Sequence, residues 1–486
     1  MENKLPKGWV EIELSLISTK VESVNPVDVY KSSFQYIDIS SIDSELLEIK
    51  EPKTIDVEKA PSRARQLILK SDILFSTVRP NLRRIARVPE NLSSQISSTG
   101  FCVIRPSVKC NENFIFYFLI SDTLVNKVLL LARGASYPAI RNSDLLKQLI
   151  PLPPRAEQDR IVAKVDALMA QHAAIQQAME RIPPLLKDFR QQVLTQAVTG
   201  KLTEEWRVGK ELGDLSELLV KIDQRRNNHK SKKVREISQE VRADLDLYEV
   251  PELWKWLSLE YLMNEEEKFR YGVVQPGNNV DEQKLIRVKD IINEEVDVNS
   301  LRGISWEIND KYKSAQVKEG DILVSIVGTI GRTIIIDNKS EGLSIARALA
   351  KIPVIDFSSK YIKIFFDCSI GQTWLVGDTR EVARKTLNLE QLKTLPVPIP
   401  PIREQQEIVR RVESLFEKAT AIEQRYAQLK EQIDTLPQSI LHKAFKGELV
   451  EQLASDGSAV ELLEEIEKLK LNSNLKGKIK SKSKSK

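Results

Sequence analysis

Two stretches, Pro153-Pro154-Arg155-Ala156-Glu157-Gln158 and Pro400-Pro401-Ile402-Arg403-Glu404-Gln405, each open a long run of helical spacing. Behind the first, Ile161, Val165, Leu168, Ile175, Met179, Ile182, Leu186, Phe189, Val193 and Ala197 recur with the three-and-four rhythm of a helix seam. Behind the second stand Ile408, Val412, Leu415, Ile422, Tyr426, Leu429, Ile433, Leu436, Ile440 and Ala444, each 247 positions after its twin. The flanks repeat as well. Gly200-Lys201-Leu202 returns as Gly447-Glu448-Leu449, and Pro6 and Trp9 correspond to Pro251 and Trp254. The chain is one module, a globular part plus a long helix, written twice. A duplicated module suits a target that itself has two halves.

Working outward, residues 1–150 lack a sustained helical pattern. Short apolar runs (Ile37–Ile39, Asp72–Phe75, Phe101–Ile104) alternate with turn residues and predict strands; Phe114–Leu131, closed by Gly134, is the helix candidate. Pro151, Pro153 and Pro154 mark a border at which the backbone is pushed to an extended form. A helical region then fills 151–207, stopped by Gly200 and interrupted at Pro183-Pro184, where it must kink or break. The second helix has Lys430-Glu431 there and carries Pro437 instead. Residues 208–249, with Arg225-Arg226 and Lys230–Lys233, read as a charged connector, helical or loosely ordered, and 250–400 as a second β-rich domain with strands at Asp321–Val327 and Thr333–Ile336. The second helical region spans 401–450. In 451–486 a short helix (Ala459–Leu471) precedes a lysine-rich tail expected to be disordered.

At 486 residues the chain can bury two or three cores. A net charge of +4 neither announces nor excludes nucleic acid, so any basic surface must be local. Three cysteines without a CxxC motif build no disulfide framework and suit a reducing, cytoplasmic setting. No apolar run approaches membrane-spanning length, and the expected partners include no membrane.

A seam of about thirty residues makes a helix of roughly 45 Å. Matched stripes are most economically buried by antiparallel pairing of the two copies about a pseudo-two-fold axis. The expected class is therefore α+β: two β-rich domains separated by two long antiparallel helices. The length is comparable to the roughly 34 Å between consecutive major-groove faces of a duplex. The seam positions Ile161, Val165, Leu168, Ile175 and Met179, with Ile408, Val412, Leu415, Ile422 and Tyr426, are assigned to this helix pair. A coiled-coil scaffold without DNA binding is the competing reading of the helices alone.

The two Pro-Pro-x-x-Glu-Gln stretches, with Ile161-Val162 and Ile408-Val409 behind them, resemble the start of the helices in specificity subunits of type I restriction–modification enzymes. Val198-Thr199-Gly200-Lys201-Leu202-Thr203-Glu204-Glu205-Trp206-Arg207 resembles the end of that family's central region. Gly320-Asp321-Ile322-Leu323-Val324-Ser325, followed by Gly328-Thr329-Ile330-Gly331-Arg332, resembles a recurrent stretch of its target-recognition domains; Ser71–Pro80 is a variant without the glycines. The resemblance implies that each recognition domain reads one half of a bipartite site in double-stranded DNA. It also implies that the helices set the spacing and dock two modification (methyltransferase) subunits, joined by restriction (endonuclease) subunits. S-adenosylmethionine, ATP and Mg2+ are then expected on the partners, with no cofactor on this chain.

The residues themselves offer no catalytic set. Gly328–Thr333 lacks the Gly-Lys-Ser/Thr ending of a phosphate loop, and all three Pro-Pro pairs follow Leu or Ile rather than Asn or Asp. Glu282-x-Lys284 is a nuclease fragment without its acidic partner, since glycine follows Pro276. His172, His229 and His442 are too scattered for a zinc site. The chain is expected to be a reader with no catalytic or metal-ligating residue. A self-sufficient nuclease or methyltransferase is the rival class.

Arginine forks pair with guanine edges or clamp phosphates, and strand-end loops present such groups. Arg79, Arg83, Arg84 and Arg87, with Asn81, follow the Ser76-Thr77 strand end, and Tyr137 and Arg141 lie near the first helix. In the second domain Arg270, Tyr271, Thr329, Arg332, Arg347, Arg380 and Arg384 are the comparable candidates, although Glu381 offers a local ion pair to the last two. A solvated basic face is the alternative for each of them taken alone.

Overall fold

The computed structural model describes residues 5–134, 136–242, 245–267, 269–292, 294–376 and 386–483, with only the backbone described over 473–483. The chain is α+β with an internal repeat, and it divides into two compact units: Met1–Glu180 with Ala427–Lys486, and Arg181–Tyr426.

Each unit contains one β-rich domain, closed by its own ends. In the first, Val10–Glu13 pairs antiparallel with Leu149–Leu152; in the second, Lys255–Ser258 pairs the same way with Pro396–Ile399. Two small sheets follow in each. The first domain orders one sheet as Lys53–Asp56, Ser33–Ile37, Gln95–Ser98, Ala64–Ile68, and the other as Ser18–Thr19, Phe101–Pro106, Ile73–Ser76, Ile85–Arg87. The second domain repeats this economically. Gln283–Ile286 lies between Arg302–Ile304 and Ser344–Ile345, and Ile322–Ser325 between Thr333–Ile335 and Leu349–Ile352. One parallel pairing marks the shared topology: Tyr36 and Ile37 face Ile96 and Ser97, as Leu285 and Ile286 face Ser344 and Ile345.

The helix expected over Phe114–Leu131 is two helices, Glu112–Ile120 and Asp122–Leu129. Ser121 takes an extended backbone between them, and its hydroxyl donates to Phe118 O at 2.7 Å while accepting from Leu124 N. A serine that caps the next helix competes with continuation of the first. The prolines of the first long helix act as read: it runs Arg155–Met179 and restarts as Ile182–Val198, with proline in the new first turn. The distal helix, Ile402–Lys446, is continuous despite Pro437.

A shared socket fixes each helix to its domain. Trp9 Nε1 donates to Glu157 Oε2, and Trp254 Nε1 to Glu404 Oε2, both at 2.9 Å. Gln158 donates to Pro153 O and accepts from Asn111 N, while Gln405 donates to Pro400 O and accepts from Ser358 N. The Pro-Pro-x-x-Glu-Gln pattern is thus a buried hydrogen-bonding plug. Helix ends are held equally tightly. Gly200, at φ +76°, has no room for a Cβ beside Pro251, nor has Gly447, at φ +73°, beside Pro6. The end of each copy therefore abuts the start of the other.

Helix pairing is antiparallel within each unit. Ile161 and Val165 share a core with Ile440, Leu441 and Ala444 in the first; Val193, Leu194 and Ala197 share one with Ile408, Val409 and Val412 in the second. The seam is not buried throughout. Ile161, Val165, Ile408 and Val412 are buried, Leu168, Met179, Leu415 and Tyr426 half-buried, but Ile175 is 43% and Ile422 50% exposed. Burial is most extensive where a β-rich domain also covers the stripe; away from it Leu186 and His172 are buried while Ile175 and Ile422 are not.

The connector and tail continue the repeat at the same interval of 247 residues. Leu215–Asn227 is a helix that packs Leu215, Leu219 and Ile222 into the second domain's core; Ala459–Ser483 does the same with Leu462 and Ile466 in the first. Each helix sets a cation on the turn after its domain's first strand. Arg226 Nη2 donates to Tyr261 O (2.9 Å) and Met263 O (3.2 Å), and Lys470 Nζ to Leu16 O (2.7 Å) and Ser15 O (3.1 Å). The last helix also passes the expected limit at Leu471 and takes in most of the lysine-rich stretch expected to be disordered. Docked first turns nucleate it, and lysine is a good helix former once nucleation is met.

Candidate nucleic-acid interface

The recurrent stretch lies at matching places in the two domains. Thr77 N and Oγ1 both donate to Gly100 O (2.9 and 2.8 Å), and Ile140 N donates to Thr77 O at 2.9 Å. In the second domain Ile326 N donates to Ala348 O, and Leu387 N to Ile326 O, again at 2.9 Å. Each domain thus ties a strand-end loop to the turn that crosses between its two sheets and to the segment leading back to the helix.

The loop itself is built differently. Ser325 and its hydroxyl receive Gly331 N (3.0 Å) and Arg332 N (2.8 Å), and Gly328 and Gly331 take φ of +80° and +83°. The first domain makes the same left-handed excursions without glycine: Arg79 and Arg83 both sit at φ +49°. Left-handed backbone is costly for a residue with a Cβ, and such strain concentrates where a side chain is needed.

The candidates separate once their partners are known. Ser76 and Thr77 are buried, with hydroxyls spent on Val78 O and Gly100 O; they shape the loop. Arg83 donates to Ile120 O at 3.2 Å and pairs with Asp122, binding the break between the two helices. Arg84 donates to Ile39 O at 2.6 Å, and Arg87 engages Asn113 and lies over the Phe116 ring. Asn81 and Arg141 are exposed, and Arg79 rests 4.3 Å from the centre of the exposed Tyr137 ring, its Nη2 donating to Ser136 O. Arg79 N, in turn, donates to Pro138 O at 2.7 Å, so both loops move as one.

In the second domain Arg347 N donates to Val273 O at 3.0 Å, and Tyr271 bridges Ala350, which gathers Arg270, Tyr271 and Arg347 near the Thr329 loop. All four are exposed, as is Arg332, which reaches Ile291 O at 3.4 Å. Arg380 and Arg384 lie outside the described residues. Sequence spacing missed Arg63 and Arg133 in the first domain, since backbone pairings between distant segments bring them to this edge. Among the described residues no group of three or more His, Cys, Asp or Glu could hold a metal ion, and no helix is long and apolar enough to cross a membrane.

Comparison with known proteins agrees with this duplicated architecture. The family model described as "Type I restriction modification DNA specificity domain" matches residues 30–183 and again 277–431. The chain is 42% identical over 331 residues to the type I restriction enzyme EcoBI specificity subunit of Escherichia coli, which covers 65% of this chain and 64% of that protein. It is 28% identical over 491 residues to the EcoKI specificity subunit of Escherichia coli (strain K12), covering 95% of this chain and 96% of that one. The crystal structure of the HsdS subunit from Thermoanaerobacter tengcongensis superposes with a TM-score of 0.64 at 26% identity, over 92% of this chain and 98% of that one. A doubled recognition fold, matched twice by one family model, makes this chain a member of the type I restriction–modification DNA specificity family.

Proposed function

We propose that this chain is the non-catalytic DNA-reading subunit of a type I restriction–modification assembly, working in the cytoplasm. Residues 1–150 read one half of a bipartite site in duplex DNA and residues 250–400 the other. The helical regions 151–207 and 401–450 hold the halves at fixed spacing and dock two modification subunits, which flip and methylate the target adenines. A restriction subunit completes the assembly, and S-adenosylmethionine, ATP and Mg2+ belong to the partners. The exposed apolar positions Ile175, Leu185, Phe189 and Ile422 suit a partner surface better than a free helix.

The observation that carries the reading is a cluster of arginine and tyrosine side chains around the same strand-end loop in each copy of the fold, Arg79–Tyr137–Arg141 in one and Arg270–Tyr271–Thr329–Arg347 in the other. Arginine offers bidentate pairing to guanine, and tyrosine an amphipathic face beside it. Selection of bound or methylated duplexes by the chain assembled with its modification subunit tests it. We expect a two-part consensus. Deletion of four residues from one long helix should change the preferred spacing between the halves. Unchanged spacing would refute the ruler role, and absence of any consensus would refute the function.

A further inference from the structure

Four separate segments of the first domain are stitched into one edge by backbone hydrogen bonds. Thr99 N donates to Arg63 O at 2.9 Å; Thr77 N donates to Gly100 O; Arg79 N donates to Pro138 O; and Arg133 and Ala139 exchange N–H···O bonds, both at 2.9 Å. Residues 62–63, 77–81, 98–100 and, on the last segment, 133–134 and 136–141 therefore lie together, although they are drawn from about half the length of the domain. They contain four arginines (Arg63, Arg79, Arg133 and Arg141) and no acidic residue, in a chain that carries 69 of them. Arg63, Arg133 and Arg141 are exposed, and among the described residues none of the four forms an ion pair. The neighbouring Arg65 behaves otherwise: it donates to Asn25 (2.6 Å) and to Ser62 O (3.2 Å), and so stiffens the turn that presents Arg63.

We propose that this ridge, with Arg63 and Arg133 as two of its reading side chains, is the half-site contact of the first domain, and that the nearby run Arg83, Arg84 and Arg87 is internal framework. The inference deepens the DNA-reading function and rests on it. Uncommitted guanidinium groups on a rigid support can meet base edges or phosphates at little cost in ordering. Guanidinium groups already spent on Asp122, Ile120 O, Ile39 O and Asn113 would have to abandon those partners first. Arg79 anchors the ridge. Its counterpart in the second domain is Gly328, so the first domain tolerates a strained backbone to place a side chain where a glycine would fit.

The second domain supplies its charge from another limb. The turn that carries Thr99 in the first domain carries Arg347 in the second, and Arg63 has no arginine at the matching place beside it. The two ridges present different chemistry on one scaffold. This is what independent reading of two unlike half-sites requires.

The test is duplex selection and affinity with the full chain assembled with its modification subunit, comparing R63A, R133A, R79G and R87A at two salt concentrations. We expect R63A and R133A each to weaken binding to the first half-site by roughly 5- to 100-fold, leaving the second half-site consensus intact. R79G should keep the fold, because glycine suits that backbone, yet lose first-half recognition. R87A should leave the consensus unchanged. R63K and R133K separate the two kinds of contact: recovery with an unchanged salt slope marks a phosphate partner, failure to recover a base edge. If R63A and R133A bind and select as the parent does while R79G fails, the ridge assignment is overturned and the function stands. If the parent itself selects no sequence, the function fails and the ridge falls with it.

Discussion

Glu157 and Glu404 occupy the same place in the two copies, plug the same socket and accept the same tryptophan N–H, yet only one is fully satisfied. Glu404 Oε1 receives Thr203 Oγ1 at 2.6 Å and pairs with Arg207 at 3.0 Å. Thr203 and Arg207 are replaced 247 positions later by Val450 and Ala454, and Glu157 Oε1 is left buried without a hydrogen-bond partner. Burial consequently pushes the Glu157 carboxyl above its ordinary range. The first copy invests elsewhere: Arg160 clasps Asp456 with two 2.6 Å bonds, where the second copy has Glu407 paired with Arg410 and Arg411. Duplication preserved the plug and let its support diverge. Shape is shared between the sockets; charge balance is not.

Breaking both sockets the same way gives the largest contrast. E404Q removes the charge facing Arg207, whose side chain is only 19% exposed, and should cost about 3 kcal/mol. E157Q removes a charge that no cation hydrogen-bonds, keeps the Trp9 bond, and should change stability by less than about 1 kcal/mol. The sign at Glu157 follows from its raised pKa: the folded state favours the protonated acid, so its contribution is present at low pH and is lost as pH rises. Hydrogen-exchange protection of peptides 155–165 and 402–412 measures each socket separately. Equal losses in the two would show that Thr203 and Arg207 add nothing.

A second pair of equivalents, Asp72 and Asp321, sharpens the point. Both cap their own turns, accepting from Leu69 N and Lys318 N. Asp72 is then gripped by Arg105 through two 2.8 Å bonds, whereas Lys351 stays 3.8 Å from Asp321 and binds Glu267 and Gln316 O. Burial therefore pushes Asp321 up to about 6. Its unfolded counterpart ionises near 4. Between those values the unfolded state loses its proton first, so stability of the second unit should fall as pH rises from about 4 to about 6, by on the order of 3 kcal/mol, and be flat above. D321N should remove that slope. An unchanged slope in urea unfolding followed across this window would place the titration on another group.

Much of this was legible because it is local or repeated. The stripes, the plug residues, the break at Pro183-Pro184 and the stop at Gly200 are patterns in a single stretch of chain, read from period and backbone chemistry alone. The sheets followed from short apolar runs between turns. What escaped depends on distant partners. Ser121 splits a run of helix formers because its hydroxyl closes one helix and opens the next. The connector and terminal helices repeat Leu215 and Leu219 as Leu462 and Ile466, again 247 positions apart, but so few apolar positions among charged neighbours do not show which surface they dock against. The arginines looked alike in sequence, and only Asp122, Ile39 and Asn113, each well removed along the chain, distinguish framework from free edge. Ile175 and Ile422 fit the seam perfectly by spacing, yet spacing carries no information about whether a third surface covers them.

The prolines return the comparison to the helices themselves. The first copy answers its Pro183-Pro184 pair by ending one helix at Met179 and starting another at Ile182. The second runs straight through Pro437, which has no N–H to give Ile433 O four residues back. His172, from the facing helix, stands in: its Nε2 lies 2.9 Å from that oxygen, and against a carbonyl this nitrogen must carry the proton. His172, which falls between the seam positions Leu168 and Ile175, is thereby explained as the missing donor of a proline-bearing helix. H172A should cost about 1–2 kcal/mol, the price of a buried carbonyl left unmet. In a P437A background, where residue 437 regains its own N–H, the same substitution should cost about 1 kcal/mol less. A double-mutant cycle read from unfolding midpoints decides it, and strictly additive costs would mean that His172 packs beside the proline without compensating it.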